Sequence, residues 1–264
     1  GDAVDINERF VVVGQPPATR EGERAGAFSP TGFLVWDHAD GEAFQSQFVN
    51  QAGDEGKAVA LGDDTIHVGI PGGPGGVPTN GGIDYYELDP DTDQFVFLGN
   101  VQLGSRLGDS VAADNGTVIA GRPLVEDGGG VREGQVVFYS TDFSSSVQQF
   151  GDPVPLGTGS AAPPPDAQLG AAVDVDGNRM AVGAPLADVG DEDAGAVYIY
   201  ERADEDAPWI LAETIPSPDA ATFVEFGSAV ALRGDRLAVS RTGPERIGTP
   251  SDGRVWVFDL IAGT

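Results

Sequence analysis

The sequence predicts an all-β protein: a β-propeller of about five four-stranded antiparallel blades, the last one incomplete in this chain. Three observations predict it. A sixteen-residue segment recurs five times without a gap, each copy is trailed by further apolar blocks, and no helical period competes over a useful length.

The recurring segments are GDAVDINERFVVVGQP from Gly1, GKAVALGDDTIHVGIP from Gly56, GDSVAADNGTVIAGRP from Gly108, GAAVDVDGNRMAVGAP from Gly170 and GSAVALRGDRLAVSRT from Gly227. A valine stands three positions after each opening glycine (Val4, Val59, Val111, Val173, Val230). Twelve residues further on comes Pro16, Pro71, Pro123 or Pro185, with Thr242 in the fifth. This spacing predicts two short strands joined by a tight turn. The turn pairs Asp63-Asp64, Asn115-Gly116, Gly177-Asn178 and Gly234-Asp235 suit two-residue hairpins because they tolerate positive φ. Glu8-Arg9, preceded by Asn7, is the poorest of the set.

A third strand follows in each unit: GFLVWD from Gly32, GIDYYE from Gly82, GQVVFYS from Gly134, GAVYIYE from Gly195 and GRVWVFD from Gly253. These glycines lie 16, 11, 11, 10 and 11 residues beyond the proline position. A weaker fourth strand is expected at 44–49, 95–101, 146–151 and 209–215. One propeller domain over 1–264 is therefore expected, with units 1–55, 56–107, 108–169, 170–226 and 227–264. Runs such as FVVVG, TVIAG and VYIY are apolar at consecutive positions, the mark of strands buried on both faces. A repeated antiparallel sheet covered on both faces is a blade lying between two others.

The pattern FGSAVALRGDRLAVS at 226–240, with LGAAVDVDGNRMAVGAP at 169–185 and GAVYIY at 195–200, resembles the FG-GAP repeat. That repeat builds the head propeller of integrin α subunits and occurs in many secreted prokaryotic proteins. The prokaryotic form is the more similar one, with Trp209 opening the fourth strand before the next Phe-Gly. Integrin heads carry more blades than the five readable here. Their calcium loops lie between the first two strands, where every unit of this chain has only a tight turn, so those sites are not carried over.

Composition narrows the function classes. The chain has 14 basic and 42 acidic residues, a net charge of −28, and no cysteine. Direct binding to nucleic acid or anionic lipid is thereby disfavoured, and disulfide, thiolate and Cys-metal chemistry is removed. No apolar run approaches the roughly 20 residues of a membrane span. Thirteen of the basic residues are arginine, only Lys57 is lysine, and aspartate outnumbers glutamate 28 to 14. Such a chain repels itself at low ionic strength, and in about 1 M salt, where the Debye length is roughly 3 Å, the repulsion nearly vanishes. A halophile, most similar in composition to haloarchaeal sources, is the expected origin. With no initiator methionine and no signal peptide, a mature or excised piece of a longer protein is expected.

No catalytic residues stand out: there is no nucleophile elbow, His-rich metal spacing or paired-carboxylate signature. His67 occupies a strand position filled by Val12, Ile119, Ala181 and Ala238 elsewhere and reads as a buried interface histidine; His38 follows a strand without a visible partner. Trp36 and Trp256 read as core. Arg233-Gly234-Asp235 and the glycosylation sequon Asn115-Gly116-Thr117 both read first as hairpin turns. Gly72-Gly73-Pro74-Gly75-Gly76 lacks the lysine and helix of a phosphate cradle and reads as a loop. No cofactor is implied. Calcium, which takes roughly six to eight oxygen ligands, is the one ion for which Asp188, Asp191, Glu192 and Asp193 supply donors, and a solvated loop is the plainer reading.

The connections that vary in length are 17–31, 72–81, 124–133, 186–194 and 243–252, with 152–168 between units. Binding residues concentrate on loops held by a rigid scaffold. Arg20, Glu21, Glu23 and Arg24 form a mixed-charge cluster in the first and are the expected partner-binding residues. The expected function is a non-enzymatic, cell-surface or secreted module that binds a protein or a glycan, with no nucleic acid and no direct membrane insertion. A carbohydrate-active hydrolase or lyase on the same scaffold, and a purely structural repeat of a larger surface protein, are the alternatives.

Overall fold

A computed structural model describes residues 3–15, 31–37, 42–49, 57–71, 81–102, 106–123, 134–140, 167–205, 207–219, 222–242 and 253–260. All regular structure among them is β-strand. The first repeat forms β1 (Val4–Ile6), β2 (Phe10–Gln15), β3 (Thr31–Asp37) and β4 (Glu42–Val49). The second forms β5 (Val59–Leu61), β6 (Thr65–Ile70), β7 (Gly82–Asp89) and β8 (Gln94–Gln102). The third forms β9 (Ser110–Asp114), β10 (Thr117–Arg122) and β11 (Gln135–Ser140); the fourth strand expected at 146–151 lies outside the described residues. The fourth repeat forms β12 (Ala172–Asp176), β13 (Arg179–Ala184), β14 (Ala196–Glu201) and β15 (Ile210–Pro216), and the fifth β16 (Ala229–Arg233), β17 (Arg236–Arg241) and β18 (Arg254–Asp259). Each repeat is its own sheet with strands in chain order, so the described residues form five antiparallel meanders. It divides into two compact units, Gly1–Ala113 and Asp114–Thr264.

The valine skeleton is a register. Val4 pairs with Val13, Val59 with Val68, Val173 with Val182 and Val230 with Val239, each partner nine residues on. The two-residue turns fall where expected, with Asn115, Gly116, Gly177 and Gly234 at positive φ. The poor pair Glu8-Arg9 is supported by Asn7, whose side-chain oxygen accepts from the backbone N–H of Arg9 (2.9 Å) and Phe10 (2.7 Å). A bulge on the fourth strand also recurs. It falls between Val35 and Trp36, Tyr85 and Tyr86, and Ile199 and Tyr200, at the residues opposite Val12, His67 and Ala181. A bulge sharpens local twist, and here it does so at the same level of each four-stranded sheet.

Within each unit, sheets pack face to face in one direction. In the first unit, Phe10, Val12, Phe33 and Val35 of the first sheet meet Val59, Leu61, Ile66, Val68, Tyr86 and Phe95 of the second. Phe33 meets Tyr86 edge-on at 4.8 Å between ring centroids, and Phe10 meets Phe95 at 5.1 Å. In the second unit, Ala181, Val197 and Ile199 of β12–β15 meet Leu232, Leu237 and Val239 of β16–β18. In both contacts the same row of one sheet faces the opposite row of the next.

Glycine sets how closely successive repeats approach. A Cβ on Gly69 would lie 2.1 Å from the carbonyl oxygen of Gly108, and one on Gly183 the same distance from that of Gly227. One on Gly170 would reach the Cα of Gly121 at 3.1 Å. Carboxylates then stitch the first strands of neighbouring repeats. Asp5 accepts from the Leu61 N–H (2.8 Å) and Asp174 from that of Leu232 (2.6 Å), one position after the repeat valine in both cases. Asp114 accepts from the Gly177 N–H (2.6 Å), and Asp176 from that of Gly234 (2.5 Å). Hydrogen bonds to charged groups contribute about 1.5–3 kcal/mol each.

Gly183→Ala is expected to cost about 3 kcal/mol or more, since backbone blocks the new methyl. Gly177→Asn, at φ 58° with nothing within 4 Å of the added Cβ, is expected to stay within about 0.5 kcal/mol of the parent. Denaturant midpoints of the two variants at one fixed salt concentration check the contrast.

Candidate functional site

Antiparallel pairing puts the hairpin turn of each repeat at one end of its sheet and the connection from second to third strand at the other. That second end carries the variable loops. Arg20, Glu21, Glu23 and Arg24, His38, Gly72–Gly76 and residues 152–166 lie outside the described residues. The fourth repeat supplies a connection described throughout.

There the chain leaves β13 at Ala184 and folds over buried Ala187 and Ala194. The Ala187 carbonyl accepts from the N–H of Val189 (2.9 Å) and of Gly195 (3.0 Å), and Asp188 Oδ1 accepts from the Asp193 N–H (2.9 Å). The loop is tied to the segment entering the fifth repeat: Phe223 N–H donates to the Glu192 carbonyl (2.9 Å) and Phe226 N–H to that of Ala194 (3.1 Å). Phe226 is fully buried, edge-on to Trp256 at 5.5 Å and to Phe258 at 6.1 Å. A Cβ on Gly195 would strike the Phe226 carbonyl at 2.1 Å. Asp188, Asp191 and Glu192 stand exposed on this support. Among the described residues, no three His, Asp or Glu side chains gather as a metal-binding group.

The opposite end holds a concavity of about 510 Å³, lined by Asn115, Gly177, Asn178, Arg202, Asp204 and Glu205. Arg202 is its centre. Its guanidinium lies 4.6 Å from the ring centroid of buried Trp209, and it donates to Thr117 Oγ1 (2.8 Å) and Asn178 Oδ1 (3.0 Å). Desolvation holds its pKa below the ordinary arginine value. The sequon Asn115-Gly116-Thr117 is thus a turn whose threonine is buried under Arg202. Arg233-Gly234-Asp235 is the equivalent turn of the fifth repeat, where Asp235 Oδ1 takes a bond from Arg179 (3.1 Å).

Two buried titratable groups lie on the second sheet. His67 is fully buried beside Thr65 Oγ1 (3.1 Å), and burial lowers its pKa to about 3, so it is neutral. Asp84 escaped the sequence reading. It pairs with Val68 at a level where the other third strands place Leu34, Val137, Tyr198 and Trp256, and a lone acid in that apolar row was the signal available. Its side chain is buried, Oδ1 has no hydrogen-bond partner among the described residues, and burial raises its pKa to about 6. Of the two tryptophans expected in the core, Trp256 packs on Phe226, whereas Trp36 is 45 % exposed among the described residues.

Residues 165–200 are an FG-GAP repeat. This FG-GAP repeat spans the end of the third unit and the first three strands of the fourth, with the acidic connection between β13 and β14 inside it. No curated protein matches the chain.

An aspartate ordinarily titrates near about 3.9. Asp84 keeps its proton in the folded state up to about pH 6, so its ionisation withdraws stability as the pH rises through that value. Asp84→Asn is therefore expected to stabilise the protein by about 1–3 kcal/mol near pH 8, the gain vanishing toward pH 4. Denaturant unfolding at both pH values in one salt concentration measures it.

Proposed function

We propose that the chain is a β-propeller of FG-GAP repeats acting as a non-enzymatic interaction module, cell-surface or secreted, in a salt-adapted organism. It binds a protein or a glycan through the ends of the sheets that carry the second-to-third-strand connections. One observation carries this reading. The hairpin end keeps one register and one turn length in every repeat whose register is known, while the other end varies in length on the same scaffold. Invariance at one end and variation at the other is what a binding surface on a rigid support requires. The FG-GAP repeat at 165–200 supports the family, and the acidic, lysine-poor composition supports the salt habitat.

A carbohydrate-active enzyme on the same scaffold draws its support from Asp84, a buried carboxyl with a pKa raised into the range of a general acid. Replacing 17–31 and 152–168 by short turns is expected to abolish capture of a surface protein or glycan from an array probed in about 2 M KCl, where charges are screened. Asp84→Asn is expected to leave that capture intact. Unchanged capture by the loop-shortened protein removes the binding reading, and glycan cleavage that Asp84→Asn abolishes establishes the enzyme.

Salt dependence gives a separate check. The thermal midpoint is expected to rise by well over about 10 °C between about 0.1 M and 2 M KCl, because self-repulsion is relieved. Equal midpoints would remove the halophile assignment.

A further inference from the structure

The hairpin turn of the third repeat holds a motif that the proposed function leaves unused. Asn115-Gly116-Thr117 is the single Asn-x-Ser/Thr sequence in the chain, although six asparagines are present. In exported proteins the asparagine of such a sequence accepts an N-linked glycan. Asn115 stands where a glycan can be carried. It is exposed, opens the two-residue turn at φ 44°, and its Nδ2 donates to Asp114 Oδ2 (2.7 Å). A side-chain amide nitrogen carries two hydrogens and keeps one after glycosylation, so a donor for that bond outlasts the modification.

Room lies beside it. The concavity at this end, about 510 Å³, falls within the roughly 300–1,000 Å³ of small-molecule sites, and Asn115 is part of its wall. The Asn178 amide, the Arg202 guanidinium and the carboxylates of Asp204 and Glu205 complete a wall of donors and acceptors suited to sugar hydroxyls. One repeat further on, the corresponding space is occupied. Arg179, which opens β13, reaches the Gly234 carbonyl and Asp235 Oδ1 of the next turn, at 3.1 Å each. The residue that opens β10 is the short Thr117, and the space toward the fourth repeat's turn stays open.

The Thr117 hydroxyl sets the timing. The acceptor sequence requires it, yet in the folded protein it is buried and bonded by Arg202 (2.8 Å), so the folded sequon is shut. It shuts late. Arg202 lies 85 residues further along the chain, so at roughly 5–20 residues per second about 4–17 s of synthesis separate the two.

We propose that Asn115 is an N-glycosylation site, filled while the chain is exported and before Arg202 closes over Thr117. Its Nδ2 forms a bond to the anomeric carbon of a lipid-phosphate-linked oligosaccharide. The bond from that carbon to the phosphate oxygen breaks, the lipid phosphate leaves with the electron pair, and Nδ2 gives up one proton to the transferase. The inference rests on the cell-surface or secreted part of the reading above.

Translation of the full chain behind an added export signal, with microsomes that supply both channel and transferase, tests it. Protease-protected chains are expected to gain a discrete mass that peptide N-glycosidase removes, with conversion of Asn115 to an aspartate. Asn115→Gln and Thr117→Ala are expected to lose the added mass, and Thr117→Ser to keep it. The acceptor is the unfolded turn, so none of these readouts depends on a variant folding. A protected parent chain without added mass, or an added mass that persists in Asn115→Gln, overturns the proposal. Because the added signal supplies export, that failure strikes the acceptor site and leaves the location reading standing.

Discussion

Successive repeats approach most tightly at glycine, in places a glycine laid on a glycine, and the rest of the architecture depends on it. At Gly69 and Gly183 the space for a Cβ is already taken by the carbonyl oxygen of the next repeat's opening glycine. That contact fixes how far the second strand of one sheet lies from the first strand of the next. At this separation the apolar faces interdigitate, and an aspartate side chain spans from one first strand to a backbone N–H of its neighbour, as Asp5 and Asp174 do. Any larger residue at the contact opens the gap for every interaction above and below it. The opening glycine is therefore a packing requirement as well as a conformational one: Gly108, Gly170 and Gly227 all combine the crowded position with φ near 90°.

Most of the strand plan was legible because its signals are local. Hairpin turns, register and third strands follow from turn chemistry and from runs of consecutive apolar residues, and each needs only a few neighbouring positions. The side-chain surroundings were less so. Trp36 and Trp256 look alike in sequence, both aromatic on a third strand, but one is exposed and the other packs on Phe226. The difference lies in what faces them, which no local pattern encodes. The Arg202–Trp209 contact joins a residue just past β14 to one just before β15 and then reaches Thr117, 85 positions away. Nothing in either residue's own neighbourhood announces it. At the candidate binding end, the one connection described throughout is held by backbone bonds to the entry of the next repeat, a pairing visible only once the sheets are placed.

The acidity of the chain serves two distinct purposes. Some carboxylates are structural acceptors: Asp114, Asp174 and Asp176 each hold a backbone N–H of the following repeat, and Asp37 and Asp109 are buried against Arg9 and Lys57. Their interactions are short and, apart from the exposed Asp176 bond, partly buried, so salt screens them less than charges standing in water. Others, such as Asp188, Asp191 and Glu192, stand in water and contribute mainly to the long-range repulsion that salt removes. High salt thus relieves the cost of the second group without giving up the benefit of the first. Burial raises the pKa of Asp5 even though the N–H groups of Leu61 and Ile6 favour its ionised form, so the stitch itself carries a desolvation cost.

The two ends of each sheet are under different constraints for a physical reason. At the hairpin end the turns are not free: Asp176 holds the Gly234 N–H, Arg179 bonds the Gly234 carbonyl and Asp235, and Asn7 Nδ2 reaches the Gly62 carbonyl. A residue inserted into one turn would displace bonds in two repeats at once. At the other end, the fourth repeat shows what must be kept. The backbone bonds at Ala187, Ala194 and Phe226 seal the base, and everything between Asp188 and Glu192 projects beyond them. Length and charge can change outside that sealed base without touching the contact between repeats, because loop closure entropy rises only slowly with length. A repeated sheet of this kind therefore has one end where sequence is dictated by its neighbours and one where it is free to vary.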